Sequence, residues 1–248
     1  MNILLAGAAG AMGQVVAALI REQGKDRVVA GFDRTTQKHA DFPVYTAMDD
    51  ITVLADVLID FSHPSALPAI LKYAVKNNLP SVLAATGLDD TAHTLIKQAS
   101  RQIPILQTGN LSLGISVLSA LVRQTAAALP GFDIEIIEKH HNKKADAPSG
   151  TAAMLLEAAR AGREDELIPV YGRFGQSARR QSGEVGIHAV RGGTIAGEHE
   201  VIFAGLDEVI EIRHRANSKR VFAAGALRAA AYAIQQPPGL YSAADLFC

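Results

Sequence analysis

The chain has one cysteine, Cys248, and no tryptophan among its 248 residues. A lone cysteine excludes an internal disulfide framework and a cysteine-built zinc site, and it fits a reducing compartment such as the cytoplasm. An excess of either charge is also missing. Lys and Arg number 24 against 25 Asp and Glu, for a formal net charge of -1. Without a basic footprint, nucleic acid is excluded as the main partner. Internal repeats and low-complexity tracts are absent, and 48% hydrophobic residues with 20% charged residues exclude a mainly disordered chain. Residues 1–20 carry no Asp, Glu, Lys or Arg. That run lacks the basic leader of a signal peptide, and Gly7, Gly10, Gly13, Asn2 and Gln14 interrupt it. It is therefore expected to be a buried strand, a turn and a helix, with no membrane partner.

The segments that are present alternate in type. Asn2 to Gly7 is a short apolar run, and Val15, Val16, Leu19 and Ile20 follow at helical spacing, ended by Gly24. Further strands are expected at 27–33, 57–61, 81–85 and 105–107, with helices at about 65–77 and 89–99. Strand and helix in alternation imply parallel βαβ units. Beyond residue 110 the pattern changes. A helix is expected at 114–129, then a strand from Phe132 to Lys139, a polar loop, and a helix opened by Ser149 and closed by Gly162. Residues 163–182 read as a long polar loop. Runs at 184–191, 195–204 and 208–215, punctuated by Gly192-Gly193 and Gly205-Leu206-Asp207, read as an antiparallel meander. An Ala-rich helix spans 217–233. The expectation is an α/β protein with a Rossmann-like dinucleotide-binding domain (1–110 and 216–248). A second α+β domain (111–215), built on a largely antiparallel sheet, would serve substrate binding and oligomerisation.

The turn Gly7-Ala8-Ala9-Gly10-Ala11-Met12-Gly13 joins the first strand to the first helix with glycines at every third position. Such a turn is tight, lets backbone approach a pyrophosphate, and packs helix close to strand. Its exposed N–H groups and the positive helix end suit an anion. Asp33, at the end of the second strand, suits ribose hydroxyls, and Arg34 beside it suits a 2′-phosphate. An acid and a base together predict use of either NADH or NADPH. Asp60-Phe61-Ser62-His63-Pro64, Ala85-Thr86-Gly87 and Gly109-Asn110-Leu111-Ser112 end the third, fourth and fifth strands. They are expected to line the same crevice, since ligands of open α/β sheets lie beyond carboxyl strand ends.

Chemistry concentrates between Glu138 and Thr151. Alternation places Ile134, Ile136, Glu138 and His140 on one face of a strand. No metal is expected, because adjacent His140 and His141 diverge and no third ligand has clear spacing. Ser149 is a good N-cap, and the N–H groups of Gly150 and Thr151 would suit a substrate carboxylate. Lys144 and His140 supply a cation and a titratable imidazole, a pair suited to delivering a proton to a carbon acid or imine.

The glycine turn, Asp60 to Pro64, Asn110-Leu111-Ser112-Leu113-Gly114 and Glu138 to Thr151 resemble dihydrodipicolinate reductase along essentially the whole chain, in the same order. The stretch from His140 to Thr151 is highly specific to that family. Arg191-Gly192-Gly193, Gly197-Glu198-His199 and Ser218 to Ala223 are also similar to it. The resemblance implies that His140 is the active-site proton donor and acceptor and Lys144 a second proton donor. It implies that His141, Gly150 and Thr151 bind a cyclic dicarboxylate substrate. Gly7, Ala8, Ala9, Gly10, Ala11, Met12, Asp33, Ala84, Ala85, Thr86, Gly109, Asn110, Leu111 and Ser112 would surround NADH or NADPH. It also implies a homotetramer and a place in lysine and diaminopimelate synthesis. This chain departs from the family in having Ala84-Ala85-Thr86-Gly87 where Gly-Thr-Thr-Gly is common, and Ala11 where Arg is common. Another dehydrogenase of similar plan, or a non-catalytic NAD(P) sensor, are the alternative readings.

Overall fold

The computed structural model describes residues 1–35 and 41–247, so Cys248 lies outside the described residues. The chain forms two compact units, residues 1–112 with 219–248, and residues 113–218.

The first unit is built on a seven-stranded sheet whose strand pairs are all parallel. In chain order its strands are β1 (Asn2–Ala6), β2 (Arg27–Phe32), β3 (Val44–Tyr45), β4 (Val57–Asp60), β5 (Ser81–Leu83), β6 (Pro104–Gln107) and β12 (Gly239–Tyr241). Its helices are α1 (Ala11–Gln23), α2 (Leu67–Lys76), α3 (Asp90–Ala99) and α6 (Arg220–Ala233). Alternation along β1 feeds two cores. Ile3 and Leu5 pack with Val16 and Leu19 of α1 and Ala226 and Ala230 of α6. Leu4 and Ala6 pack with Ile70 and Ala74 of α2 and Ile96 of α3. A strand covered on both faces must be apolar throughout, and β1 is. Two strands, β3 and β12, were not expected. Both are short and lie at the sheet's edges, where little hydrophobic pattern is needed.

The order β12-β6-β5-β4-β1-β2-β3 reverses direction at β1 and β4. The carboxyl ends of these two strands are therefore neighbours, with Ala6 opposite Asp60 in register and Phe61 N–H donating to the Ala6 carbonyl at 3.0 Å. In open α/β sheets this reversal point is where ligands bind.

The second unit contains α4 (Leu113–Ala128), β7 (Asp133–His140), α5 (Gly150–Arg160), β8 (Ile168–Tyr171), β9 (Glu184–Arg191), β10 (Gly197–Ala204) and β11 (Val209–Ala216). The sheet order is β11-β10-β7-β9-β8. The antiparallel meander expected from 184–215 does not form. β10 pairs antiparallel with β11, but β7 inserts between β9 and β10 and runs parallel to β9. β8, inside the stretch read as a loop, also pairs parallel with β9. The expected largely antiparallel sheet is thus mixed. Two returns cause this: α5 carries the chain back so that β8 starts from the same end as β7, and residues 172–183 carry it back again before β9. Ile115, Leu118 and Val122 of α4 and Leu155 and Leu156 of α5 cover one face, against Ile134, Ile136, Val185, Ile187, Val201 and Phe203.

Candidate active site

In the first unit, the turn after β1 is defined by contacts that leave no room for side chains. Gly7 has φ +75°, and a β-carbon there would lie 2.6 Å from the Phe61 carbonyl carbon and 2.8 Å from the Ser62 nitrogen. A β-carbon at Gly10 would lie 3.2 Å from the Gly7 carbonyl oxygen. No side chain caps the start of α1. The Asp33 carboxylate reaches back across the turn, accepting from Ala9 N–H at 2.9 Å and from Arg34 N–H at 2.7 Å. A bare helix N-terminus, a turn stripped to backbone and a carboxylate at the end of the neighbouring strand fit the pyrophosphate and ribose of a dinucleotide. Gly7 to Met12 with Asp33 would hold it.

The other expected cofactor residues divide. Ala8 is fully buried in the core, so only its backbone faces the turn. Ala11, Arg34, Thr86 and Gly109 are exposed, and Ala84 is half-buried beyond the end of β5. Ala85 is buried. Asn110, Leu111 and Ser112 are buried and engaged in the fold. Asn110 Oδ1 accepts from Ser112 N–H at 2.8 Å, and the Thr108 hydroxyl donates to the Asn110 carbonyl at 2.9 Å. Leu111 packs in the core below α6, whose Gly225 has no side chain because a β-carbon would meet the Leu111 carbonyl.

Asp60 ends β4 fully buried. Burial pushes its carboxyl above the usual carboxylate range, and the Ser62 hydrogen bonds only partly offset this.

In the second unit, β7 delivers Glu138 and His140 from one face, as alternation requires. Glu138 is completely buried at the centre of a network. Its Oε2 lies 2.6 Å from His140 Nδ1, and its Oε1 accepts from Ser149 N–H at 2.9 Å. Arg191 grips both oxygens at 2.7 Å, and its Nη2 also donates to the Asp146 carbonyl at 2.6 Å. Burial opposes the charge on Glu138, but the hydrogen bonds from Arg191, His140 and Ser149 outweigh it and hold the carboxyl below its ordinary range. His140 moves down from its usual value. Burial is the largest influence and lowers it, the hydrogen bond and charge of Glu138 oppose this, and the charges of Lys144 and Arg191 lower it further.

Ser149 caps α5, its hydroxyl accepting from Ala152 N–H at 3.2 Å. The same hydroxyl lies 3.1 Å from His199 Nε2 on β10. Burial pushes His199 down to about 3, so this imidazole is neutral at pH 7. His140 and His199 stack edge to face at 5.2 Å between centroids. Gly150 and Thr151 form the first turn of α5, beside this cluster. Lys144 is mostly buried and pairs with Asp146 at 2.8 Å. His141 is half-buried just past the end of β7. His140 and Lys144 therefore lie near the capped start of α5, where Gly150 and Thr151 follow Ser149, and His141 is next to His140 in the chain. Among the described residues, no three His, Cys, Asp or Glu side chains are arranged to hold a metal, and no helix is long and apolar enough to cross a membrane.

Three members of this cluster had no assigned role in the sequence. Glu138 carried a usable signal, because Glu-x-His on one strand face puts the two groups in reach. Arg191 and His199 were marked only by the family resemblance of their segments, which gave no role, since strand pairing brings them here.

Family models described as dihydrodipicolinate reductase, N-terminus, and dihydrodipicolinate reductase, C-terminus, match residues 1–111 and 114–247. A 4-hydroxy-tetrahydrodipicolinate reductase of Caldanaerobacter subterraneus subsp. tengcongensis is 49% identical, over 99% of this chain and 98% of the relative. One of Clostridium tetani is 42% identical over 98% of this chain and 95% of its own. Among solved structures, a dipicolinate-bound dihydrodipicolinate reductase from Paenisporosarcina sp. TG-14 matches with TM-score 0.78 and 20% identity, covering 98% of this chain and 97% of that one. A myo-inositol dehydrogenase from Corynebacterium glutamicum matches with TM-score 0.59 and 16% identity, over 96% and 90%. These two structures share the fold.

Proposed function

The chain belongs to the dihydrodipicolinate reductase family, and from that premise we propose that it reduces 4-hydroxy-tetrahydrodipicolinate to tetrahydrodipicolinate with NADH or NADPH. The net reaction adds one hydride and one proton to the substrate and releases its hydroxyl as water. The reduced nicotinamide supplies the hydride. The rest is positioning and charge.

The observation that carries this reading is the convergence, in the second unit, of an imidazole, an ammonium and a capped helix start. The first turn of α5, with Gly150 and Thr151, presents the positive end of the helix to a carboxylate. His141 stands beside the same end of β7. Lys144 neutralises charge developing on the substrate ring, and His140 delivers and accepts protons. In the first unit, the Gly7 to Met12 turn receives the pyrophosphate and Asp33 the ribose, while Arg34 is exposed for a 2′-phosphate. The direct test is loss of nicotinamide absorbance when the purified chain receives NADPH and freshly prepared 4-hydroxy-tetrahydrodipicolinate. A chain that binds NADPH but never oxidises it with this substrate would instead be a sensor.

A homotetramer in the cytoplasm completes the proposal. Val190, Val209 and Ile210 on the second unit's strands are exposed, and a sheet with such side chains invites pairing with further copies. Sedimentation equilibrium giving a monomer at micromolar concentration would overturn this part.

A further inference from the structure

The buried Glu138 carboxylate touches His140, the proposed proton carrier, and the N-cap of α5 without itself being open to a ligand. It is completely buried, accepts a bidentate grip from Arg191, and sits 2.6 Å from His140 Nδ1 and 2.9 Å from the Ser149 nitrogen. An ionised carboxylate has no hydrogen to donate. A contact of 2.6 Å with an imidazole nitrogen therefore requires that nitrogen to carry the proton. The other ring nitrogen, Nε2, faces Gly197, where a β-carbon would approach it to 3.2 Å. The absent side chain keeps that atom uncrowded.

We propose that Glu138 is the positioning residue of this site: it holds His140 in the Nδ1–H form with Nε2 as the atom that exchanges protons, and its second oxygen ties that ring to the N-cap of α5. One carboxylate thus sets both the orientation of the acid–base group and the position of the helix start proposed to receive the substrate carboxylate. Arg191, anchored on the parallel neighbour β9, supplies the charge that keeps Glu138 ionised. The groups facing His140 are Glu138 from its own strand, Arg191 from β9, His199 from β10, and Lys144 with its partner Asp146 from the following loop. Of these, Glu138 alone both accepts from the ring and favours its protonated form. The proposal rests on the reductase reading, since it explains how that reading's proton carrier is aimed.

Two measurements test it. Nitrogen-15 NMR of histidine in the full chain reads the tautomer of His140 without any substitution. The Nδ1–H form is expected, and a dominant Nε2–H form would overturn the proposal even if every variant failed to fold. Second, Glu138→Gln is expected to lower kcat by about 10²-fold, within the range of a misdirected general acid–base group, and to leave the KM for NADPH unchanged. It should also move the His140-dependent limb of the kcat/KM profile to lower pH, because the raising influence of the carboxylate is gone. Glu138→Asp should restore part of both. A Glu138→Gln enzyme that loses stability while its pH limb stays fixed would make Glu138 a structural residue only. If the wild-type chain itself fails to turn over, the reductase reading falls, whereas a turning-over wild type with the wrong tautomer removes only the role of Glu138.

Discussion

The carbonyl oxygen of Gly7 lies 2.2 Å from the point a β-carbon on Gly13 would occupy, and the Ala8 Cα lies 2.7 Å from it. These are backbone atoms and cannot move aside as a flexible side chain would. The third glycine of the turn therefore sets how closely α1 approaches the end of β1. Gly13→Ala is expected to lose about 1–3 kcal/mol of stability, the usual range for overpacking, and to weaken NADPH binding by opening the turn. Gly131→Ala, in the other compact unit, is the control, since a β-carbon there meets nothing within 4 Å. Urea denaturation and fluorescence titration with NADPH check both. Equal stability of the two variants would show that the turn relaxes freely.

His140→Ala and Lys144→Ala are each expected to lower turnover by about 10²- to 10⁴-fold, the usual contribution of a general acid–base group. NADPH affinity should survive in both, because the glycine turn belongs to the other compact unit. Steady-state kinetics with calorimetric NADPH binding separate the two effects. A variant with near-normal turnover would release that residue from its assigned role.

His199 makes stability depend on pH. Its folded-state value is depressed to about 3 by burial, while an unfolded histidine titrates near 6.5. Between these values the unfolded chain binds the extra proton. The contribution is therefore intact above about pH 6.5 and is lost progressively as pH falls toward 3. Replacing the group, as in His199→Gln, is expected to reduce the slope of unfolding free energy against pH by about one proton in that window. Denaturant melts at pH 4.5 and 7.5 measure it. An unchanged slope would mean that His199 is protonated in the folded chain.

Asp33 and Arg34 are the residues proposed to govern cofactor choice. The Asp33 carboxylate is pinned by Ala9 and Arg34 N–H groups and remains half-exposed. Asp33→Ala is expected to weaken NADH by about 10- to 100-fold, the worth of a hydrogen bond to a charged group, with a smaller effect on NADPH. The unaltered chain should use both cofactors. A preference above about a thousandfold for one would contradict the joint role assigned to this acid and base.

Much of this was legible in local pattern. The apolar run of β1, its glycine turn and the terminal acid of β2 pointed to a dinucleotide-binding sheet, because a strand buried on both faces and a stripped turn leave marks in adjacent residues. The Glu138–His140 pair was readable from a spacing of two. The burial of Asn110, Leu111 and Ser112 was not readable, since Asn and Ser favour turns whether the turn faces a ligand or the core.

The one-dimensional record was enough for what neighbouring residues decide together: the alternation of strands and helices, the cap at Ser149, the shared face of Glu138 and His140, and the resemblance that names the family. Folding alone decided that β7 would slip between β9 and β10. Arg191 stands 53 residues from Glu138, and His199 stands 50 from Ser149. Contacts across such separations are chosen by the packing of whole sheets against α4 and α5, whose energy is spread over the unit and leaves no signature in any short stretch of chain.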